Sequence, residues 1–147
     1  MNSIQENLVS VIAVCFNHEK YLVETLNSIK NQTHLNIQLI IMEDCSTDNS
    51  VKMINDWITD NDYRCKFIAH KKNAGLCKTL NEALAFCKGE YVQIISCDDV
   101  LLNHKIQKQI EVFEHLDSTY GAIYSDGLLI DEHSKSLDIK FIAKHTS

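Results

Sequence analysis

The chain has 147 residues, of which 45% are hydrophobic and 23% charged, a balance that can fill one ordinary globular core. Its net charge of -6, with only 14 Lys and Arg, argues against holding nucleic acid through phosphate contacts. A phosphorylated small ligand is still allowed, but its charge then needs neutralising, and a divalent cation is one physical answer.

In chain order, Leu8–Cys15 is apolar and β-branched, which predicts a buried strand. Tyr21, Leu22, Thr25, Leu26 and Ile29 recur at helical spacing. Ile37–Met42 predicts a second buried strand. Val51, Ile54, Trp57 and Ile58 mark a second helix, capped by Thr47 or Asp48. Lys66–Ala69 predicts a third strand. Leu76, Leu80, Ala83, Leu84 and Cys87 mark a third helix, and Tyr91–Ile95 a fourth strand. Ile106, Ile110 and Phe113 mark a fourth helix, and Ala122–Tyr124 is expected to begin a fifth strand. Beyond Gly127, Leu128–Ile130 and Ile139–Ala143 are expected to form a hairpin around Glu132–Ser136. This alternation predicts an α/β fold of three layers, with a mostly parallel sheet between helices.

The six cysteines contain no C-x-x-C pair and the seven histidines no H-x-x-x-H pair, so a zinc site is not expected. The thiols read as free and buried, in a reducing compartment. The polar start, Met1–Asn7, does not read as a signal peptide, and no apolar run approaches the roughly 20 residues that span a bilayer. The expected location is the cytoplasm, with peripheral attachment at the inner face of a membrane left open for a longer protein.

In open parallel sheets, ligands bind beyond the carboxyl ends of the strands. The segments there are Phe16–Glu19, Glu43–Asp48, His70–Gly75 and Ser96–Asp99. Asp98 and Asp99 are adjacent carboxylates that repel each other unless a cation or hydrogen-bond donors stabilise them. Mg²⁺ and Mn²⁺ take oxygen ligands and bridge carboxylates to a diphosphate. A solvated helix cap is the plainer alternative. Asp44 can accept a hydrogen bond from a base or a ribose, or it can serve a turn. Glu43 is expected to face the opposite side of the strand end and is secondary. Gly75 allows a close backbone approach or a positive φ. No dinucleotide fingerprint, P-loop or nucleophile elbow is present.

Five segments in register resemble the inverting family 2 glycosyltransferases. They are Val9–Ile12 leading to Phe16-Asn17; Tyr21-Leu22 through Ser28-Ile29 to Asn31-Gln32-Thr33; Ile40–Ser50; Asn73-Ala74-Gly75 with Asn81-Glu82-Ala83; and Lys88–Tyr91 into Asp98-Asp99. The resemblance covers about residues 8–126. It implies the Rossmann-like GT-A nucleotide-diphospho-sugar transferase fold and a nucleoside diphosphate sugar donor, usually UDP-linked. By it, Val14, Phe16, Asn17 and Glu19 line the nucleotide, with Gly75 nearby. Asp44 binds the base. Asp99 is the metal ligand, joined by Asp98, which lies nearer the ribose, and the metal is Mn²⁺ or Mg²⁺. The family often has Pro-Thr or Pro-Ser before its aromatic-Asn pair, an acid at the position of Ser96 and an Arg at that of Leu80; this chain departs at all three. The resemblance also implies that the 147 residues are a single donor-binding domain lacking the part that carries the acceptor site and the catalytic base. Asp126 is expected at a strand end, where it can touch the donor sugar or simply serve a turn, and is not assigned as the base. The acceptor, a glycan, a lipid-linked species or a protein, is left open, and a non-catalytic nucleotide-sugar-binding module is the alternative.

Overall fold

The structure, a computed structural model, describes the backbone of residues 5–140 and the side chains of residues 7–139. The elements in order are β1 (Gln5–Cys15), α1 (Leu22–Lys30), β2 (Ile37–Glu43), α2 (Ser50–Asp60), β3 (Lys66–Ala69), α3 (Leu76–Leu84), β4 (Gly89–Ser96), α4 (Lys105–Glu114), β5 (Leu128–Ile130) and β6 (Ser136–Lys140). The chain divides into two compact units, one through Ile110 and one from Glu111.

In the first unit, four parallel strands lie in the order β3-β2-β1-β4. Alternate residues of a strand face opposite sides; in β1 and β2 both sides are covered, so these strands read as continuous apolar runs, whereas Val92 and Ile94 on one side of β4 are exposed. Val9, Val11, Ala13 and Cys15 of β1 join Leu39 and Ile41 of β2 on one face, against Leu22, Leu26 and Ile29 of α1, Ile54 and Trp57 of α2, and Ile106 and Ile110. Ile12 and Val14 join Ile40 and Met42 on the other face, against Ala83 of α3. The three layers expected from the alternation are formed. Trp57 Nε1 donates to Asn27 Oδ1 at 2.9 Å, which ties α2 to α1 while its ring stays in the core.

Gly89 opens β4 where no side chain fits. A Cβ there would lie 2.5 Å from the Leu8 carbonyl oxygen and 2.7 Å from the Ser10 nitrogen. The buried Ser10 hydroxyl accepts from the Gly89 N–H at 2.9 Å and donates to Gln38 Oε1 at 2.7 Å, fixing how β4 starts beside β1.

In the second unit, β5 and β6 pair antiparallel around residues 131–135, as expected of the hairpin; residues 141–143 of that expectation lie outside the described residues. The strand expected from Ala122 to Tyr124 is not formed. Residues 121–127 carry no regular structure, and Tyr124 is 87% exposed. A three-residue apolar run between Gly121 and Ser125-Asp126-Gly127 is too short to hold a strand without a paired neighbour. Asp126 therefore sits in an irregular stretch, where its Oδ1 accepts the Gly127 N–H at 2.9 Å.

Candidate nucleotide-sugar site

The register brings the ends of three strands into line. Cys15 of β1 lies beside Glu43 of β2, and Val14 beside Ser96 of β4. Asp44 and Asp98-Asp99 thus emerge on opposite flanks of the β1 end, separated by two strand spacings, roughly 10 Å. The segment from Phe16 to Glu19 leaves the sheet between them.

Asp44 is 6% exposed and tightly held. Its Oδ1 accepts from the Ala74 N–H at 2.7 Å and lies 2.8 Å from His70 Nδ1. Its Oδ2 accepts from the Gly75 N–H at 2.8 Å. Asn73 Nδ2 donates to the Asp44 carbonyl oxygen at 3.0 Å, so residues 70–75 wrap this one aspartate. Burial alone would raise its pKa, but hydrogen bonds from Ala74, His70 and Gly75 outweigh it and hold the carboxyl below its ordinary value. Gly75 has φ 81° and ψ 153°, a region open essentially to glycine alone. That conformation turns its N–H to Asp44 as α3 begins.

Phe16, directly after β1, is 45% exposed. Val14 is buried on the α3 side of the sheet, and its carbonyl oxygen accepts from the Cys97 N–H. The side chains of Asn17 and Glu19 face the loop after β2. Asn17 Oδ1 accepts from the Thr47 N–H at 2.8 Å, and Glu19 Oε2 accepts from the Asn49 N–H at 2.8 Å. In return, Ser46 Oγ accepts from the Asn17 N–H at 2.8 Å and Asp48 Oδ2 from the Glu19 N–H at 3.0 Å. The two loops brace each other, and both Asn17 (φ 58°) and Cys45 (φ 65°) are held in the left-handed region. The N-cap of α2 is Asn49, not Thr47 or Asp48 as expected; Asp48, one residue earlier, accepts from the Ser50 N–H at 2.9 Å through its Oδ1.

Glu43, expected to be secondary, is fully buried. Its Oε1 accepts from the Ser46 N–H at 2.6 Å, closing the turn after β2. Alternation along the strand correctly turned it away from Asp44, but not its burial.

The Asp98-Asp99 segment is held from behind by α1 and the residues that follow it. Thr25 Oγ1 donates to the Asp99 carbonyl oxygen at 2.7 Å. Ser28 Oγ accepts from the Leu101 N–H at 3.1 Å. Gln32 Nε2 donates to the Leu102 carbonyl oxygen at 2.9 Å while its Oε1 accepts from the Ile106 N–H at 3.2 Å. Thr25, Ser28 and Gln32 are all buried. Sequence reasoning missed their role; the signal available was polar residues on the apolar face of α1.

Asp99 is pushed above its ordinary pKa, first by burial and then by the negative charge of Asp98; His18 opposes the shift. His18 Nε2 lies 3.6 Å from Asp98 Oδ2. Such a pair of carboxylates favours an added cation. Among the described residues no cluster of three or more His, Cys, Asp and Glu side chains is arranged to hold a metal. Mg²⁺ and Mn²⁺ need less from the protein, since one or two carboxylates combine with substrate phosphates and water. All six cysteines are free, but only Cys15 and Cys97 are buried as expected, and Cys77 is exposed. The Cys97 thiol is pushed well up by its hydrogen bond with Cys15, then by burial and by Asp98, which suits a core residue and not a nucleophile.

Comparison with known proteins gives a consistent result. The profile described as glycosyl transferase family 2 matches residues 10–144. A protein of Haemophilus influenzae named only as an uncharacterized glycosyltransferase is 36% identical over 116 residues, which are 78% of this chain and 46% of that protein. The structure of Staphylococcus aureus TarS 1-349 in complex with UDP-GlcNAc aligns with TM-score 0.66 and 27% identity, covering 74% of this chain and 31% of that one. The mannosyltransferase PcManGT of Pyrobaculum calidifontis, in complex with GDP-Man and Mn²⁺, aligns with TM-score 0.59 and 25% identity over 63% of this chain and 28% of that one. The chain thus spans less than half the length of these relatives. Among the described residues, no helix is long and apolar enough to cross a membrane. The profile match over nearly the whole chain, with this sheet order and these neighbours, makes the chain a member of glycosyl transferase family 2 with the GT-A fold.

Proposed function

We propose that this chain is the donor-binding domain of an inverting glycosyltransferase, and that it holds a UDP-linked sugar across the ends of β2, β1 and β4. The base lies against Asp44, and Asp99 with Asp98 holds Mn²⁺ or Mg²⁺ against the diphosphate. The cation supplies positive charge to the leaving diphosphate, a contribution that grows as the glycosidic bond breaks. The acceptor site and the general base belong to the rest of a longer enzyme, so these residues alone bind donor with little turnover.

The observation that carries this reading is the state of Asp44. A carboxylate offers about four acceptor positions. His70, Ala74 and Gly75 occupy three of them and fix the plane of the group. One acceptor position remains, which suits the single imide N–H of uracil better than the paired donors of guanine.

Calorimetric titration with UDP, GDP and their sugars, with and without Mn²⁺, tests it. The expected result is Mn²⁺-dependent binding of UDP over GDP, lost in Asp44→Asn. Equal affinity for the two nucleotides, or binding indifferent to Mn²⁺, would reject the corresponding half of the proposal.

A further inference from the structure

The ring of His70 lies between two carboxylates from different elements. Nδ1 is 2.8 Å from Asp44 Oδ1 at the end of β2, and Nε2 is 3.1 Å from Glu82 Oε2 on α3. The His70 side chain is 12% exposed, that of Asp44 9% and that of Glu82 42%. The His70 N–H donates to the Glu43 carbonyl oxygen at 2.8 Å, so the backbone is pinned as well. A neutral imidazole has one N–H and one bare lone pair, and a carboxylate has no hydrogen to give. With both carboxyl groups ionised, two contacts of this kind call for two ring hydrogens, which is the hydrogen count of an imidazolium.

We propose that His70 is a positioning residue for the donor base, acting as a doubly protonated bridge that sets the orientation of Asp44, so that nucleotide affinity depends on the proton at His70. The inference rests on the reading that Asp44 receives the base. The charged groups facing the ring are Asp44 from β2 and Glu82 from α3, while Lys71 and Lys72 follow it on its own segment. Its pKa is raised above the ordinary histidine value, first by the hydrogen bond to Asp44, with burial opposing and Glu82 assisting. When the proton leaves, one of the two contacts becomes a lone pair facing a carboxylate. Glu82, being the more exposed, turns to water. The bond to Asp44 then joins a neutral ring to an ionised carboxylate and loses the attraction between two opposite charges. The carboxylate is then held mainly by Ala74 and Gly75, and its last acceptor position is less well aimed.

The test uses the 147-residue chain and two readouts. Ring ¹⁵N shifts follow the protonation of His70, without ligand, from pH 5.5 to 8.5. UDP affinity in the presence of Mn²⁺ is measured over the same range for wild type, His70→Asn, Glu82→Gln and Asp44→Asn. Asn is chosen because its amide can take the place of Nδ1–H without titrating. The expected result is a ring that carries two protons at pH 6 and titrates above the ordinary value of about 6.5, with the midpoint lowered in Glu82→Gln. UDP affinity of wild type falls several-fold as the ring deprotonates, by up to about tenfold if most of the charged bond is lost. In His70→Asn that component of the pH profile disappears, and in Glu82→Gln it moves to lower pH; the titration of UDP itself is common to all samples.

A ring with one bare nitrogen at pH 6 overturns the proposal. So do identical pH profiles for wild type, His70→Asn and Glu82→Gln. If Asp44→Asn abolishes binding in that second case, the base reading stands and only the role of His70 falls. If Asp44→Asn binds as wild type does, the base reading itself fails and takes the role of His70 with it.

Discussion

The hydroxyl of Thr25 donates to the main-chain carbonyl of Asp99 at 2.7 Å, a contact between residues 74 apart in the chain. Thr25 is fully buried, on the face of α1 that packs against the sheet. A helix core thereby supports the loop carrying the two carboxylates.

Thr25→Val keeps the shape and removes the donor, leaving a carbonyl without its partner. The expected cost is about 1–3 kcal/mol of stability. Urea unfolding measures it, and titration with UDP and Mn²⁺ is expected to show weaker binding at temperatures where the variant is still folded. Unchanged metal-dependent binding would mean that the Asp99 loop is set without Thr25.

Asp99→Asn separates binding from stability. Asp99 is raised by burial and by repulsion from Asp98, so its ionised form is disfavoured in the folded chain. Neutralising it is expected to leave the unfolding midpoint unchanged or raise it, while Mn²⁺-dependent UDP binding falls by at least about tenfold. A stability loss with intact metal dependence would assign Asp99 to the scaffold.

Two glycines fail differently. Gly75→Ala meets no atom within 4 Å, yet forces a φ of 81° on a residue with a Cβ, at about 1–3 kcal/mol. Its effect is expected to reach UDP binding through the N–H that it gives to Asp44. Gly89→Ala meets the Leu8 carbonyl oxygen at 2.5 Å, an overpacking cost of about 1–3 kcal/mol or more. Hydrogen exchange is expected to speed up along the β1–β4 ladder in Gly89→Ala and around residues 73–76 in Gly75→Ala.

Stability should also report His70. Its folded pKa is raised, first by the hydrogen bond to Asp44, so the folded chain holds this proton more tightly than the unfolded chain does. The stabilisation is complete below about pH 6.5 and is lost as pH rises through the folded value. Urea midpoints are expected to drop between pH 6 and pH 8.5 by more in wild type than in His70→Asn. Equal drops would mean that the bridge does not contribute to folding.

Much of the fold was legible along the chain. Val9–Val14, apart from Ser10, and Leu39–Met42 are apolar on both faces, the pattern of a doubly covered parallel strand, and the helical spacing of Leu22, Leu26 and Ile29 supplied one cover. The strand expected at Ala122–Tyr124 failed because a short apolar run says nothing about whether a partner strand is present. The same local patterns put Asp44, Asp98 and Asp99 at strand ends.

The assignment of work among the site residues was decided by tertiary structure. Asn17 and Glu19 read as nucleotide-lining residues, and the structure adds that their side chains brace the loop after β2. Thr25 read as part of the helical spacing, and Ser28 and Gln32 as part of the family resemblance; none was given a partner, and the structure shows all three holding the Asp98-Asp99 segment. Periodicity reports which face of an element is buried, because solvent exclusion acts on each residue according to its side. It carries no information about which distant donor meets which acceptor. That pairing is set by strand order and register, and it places His70 against Asp44 across 26 residues of chain.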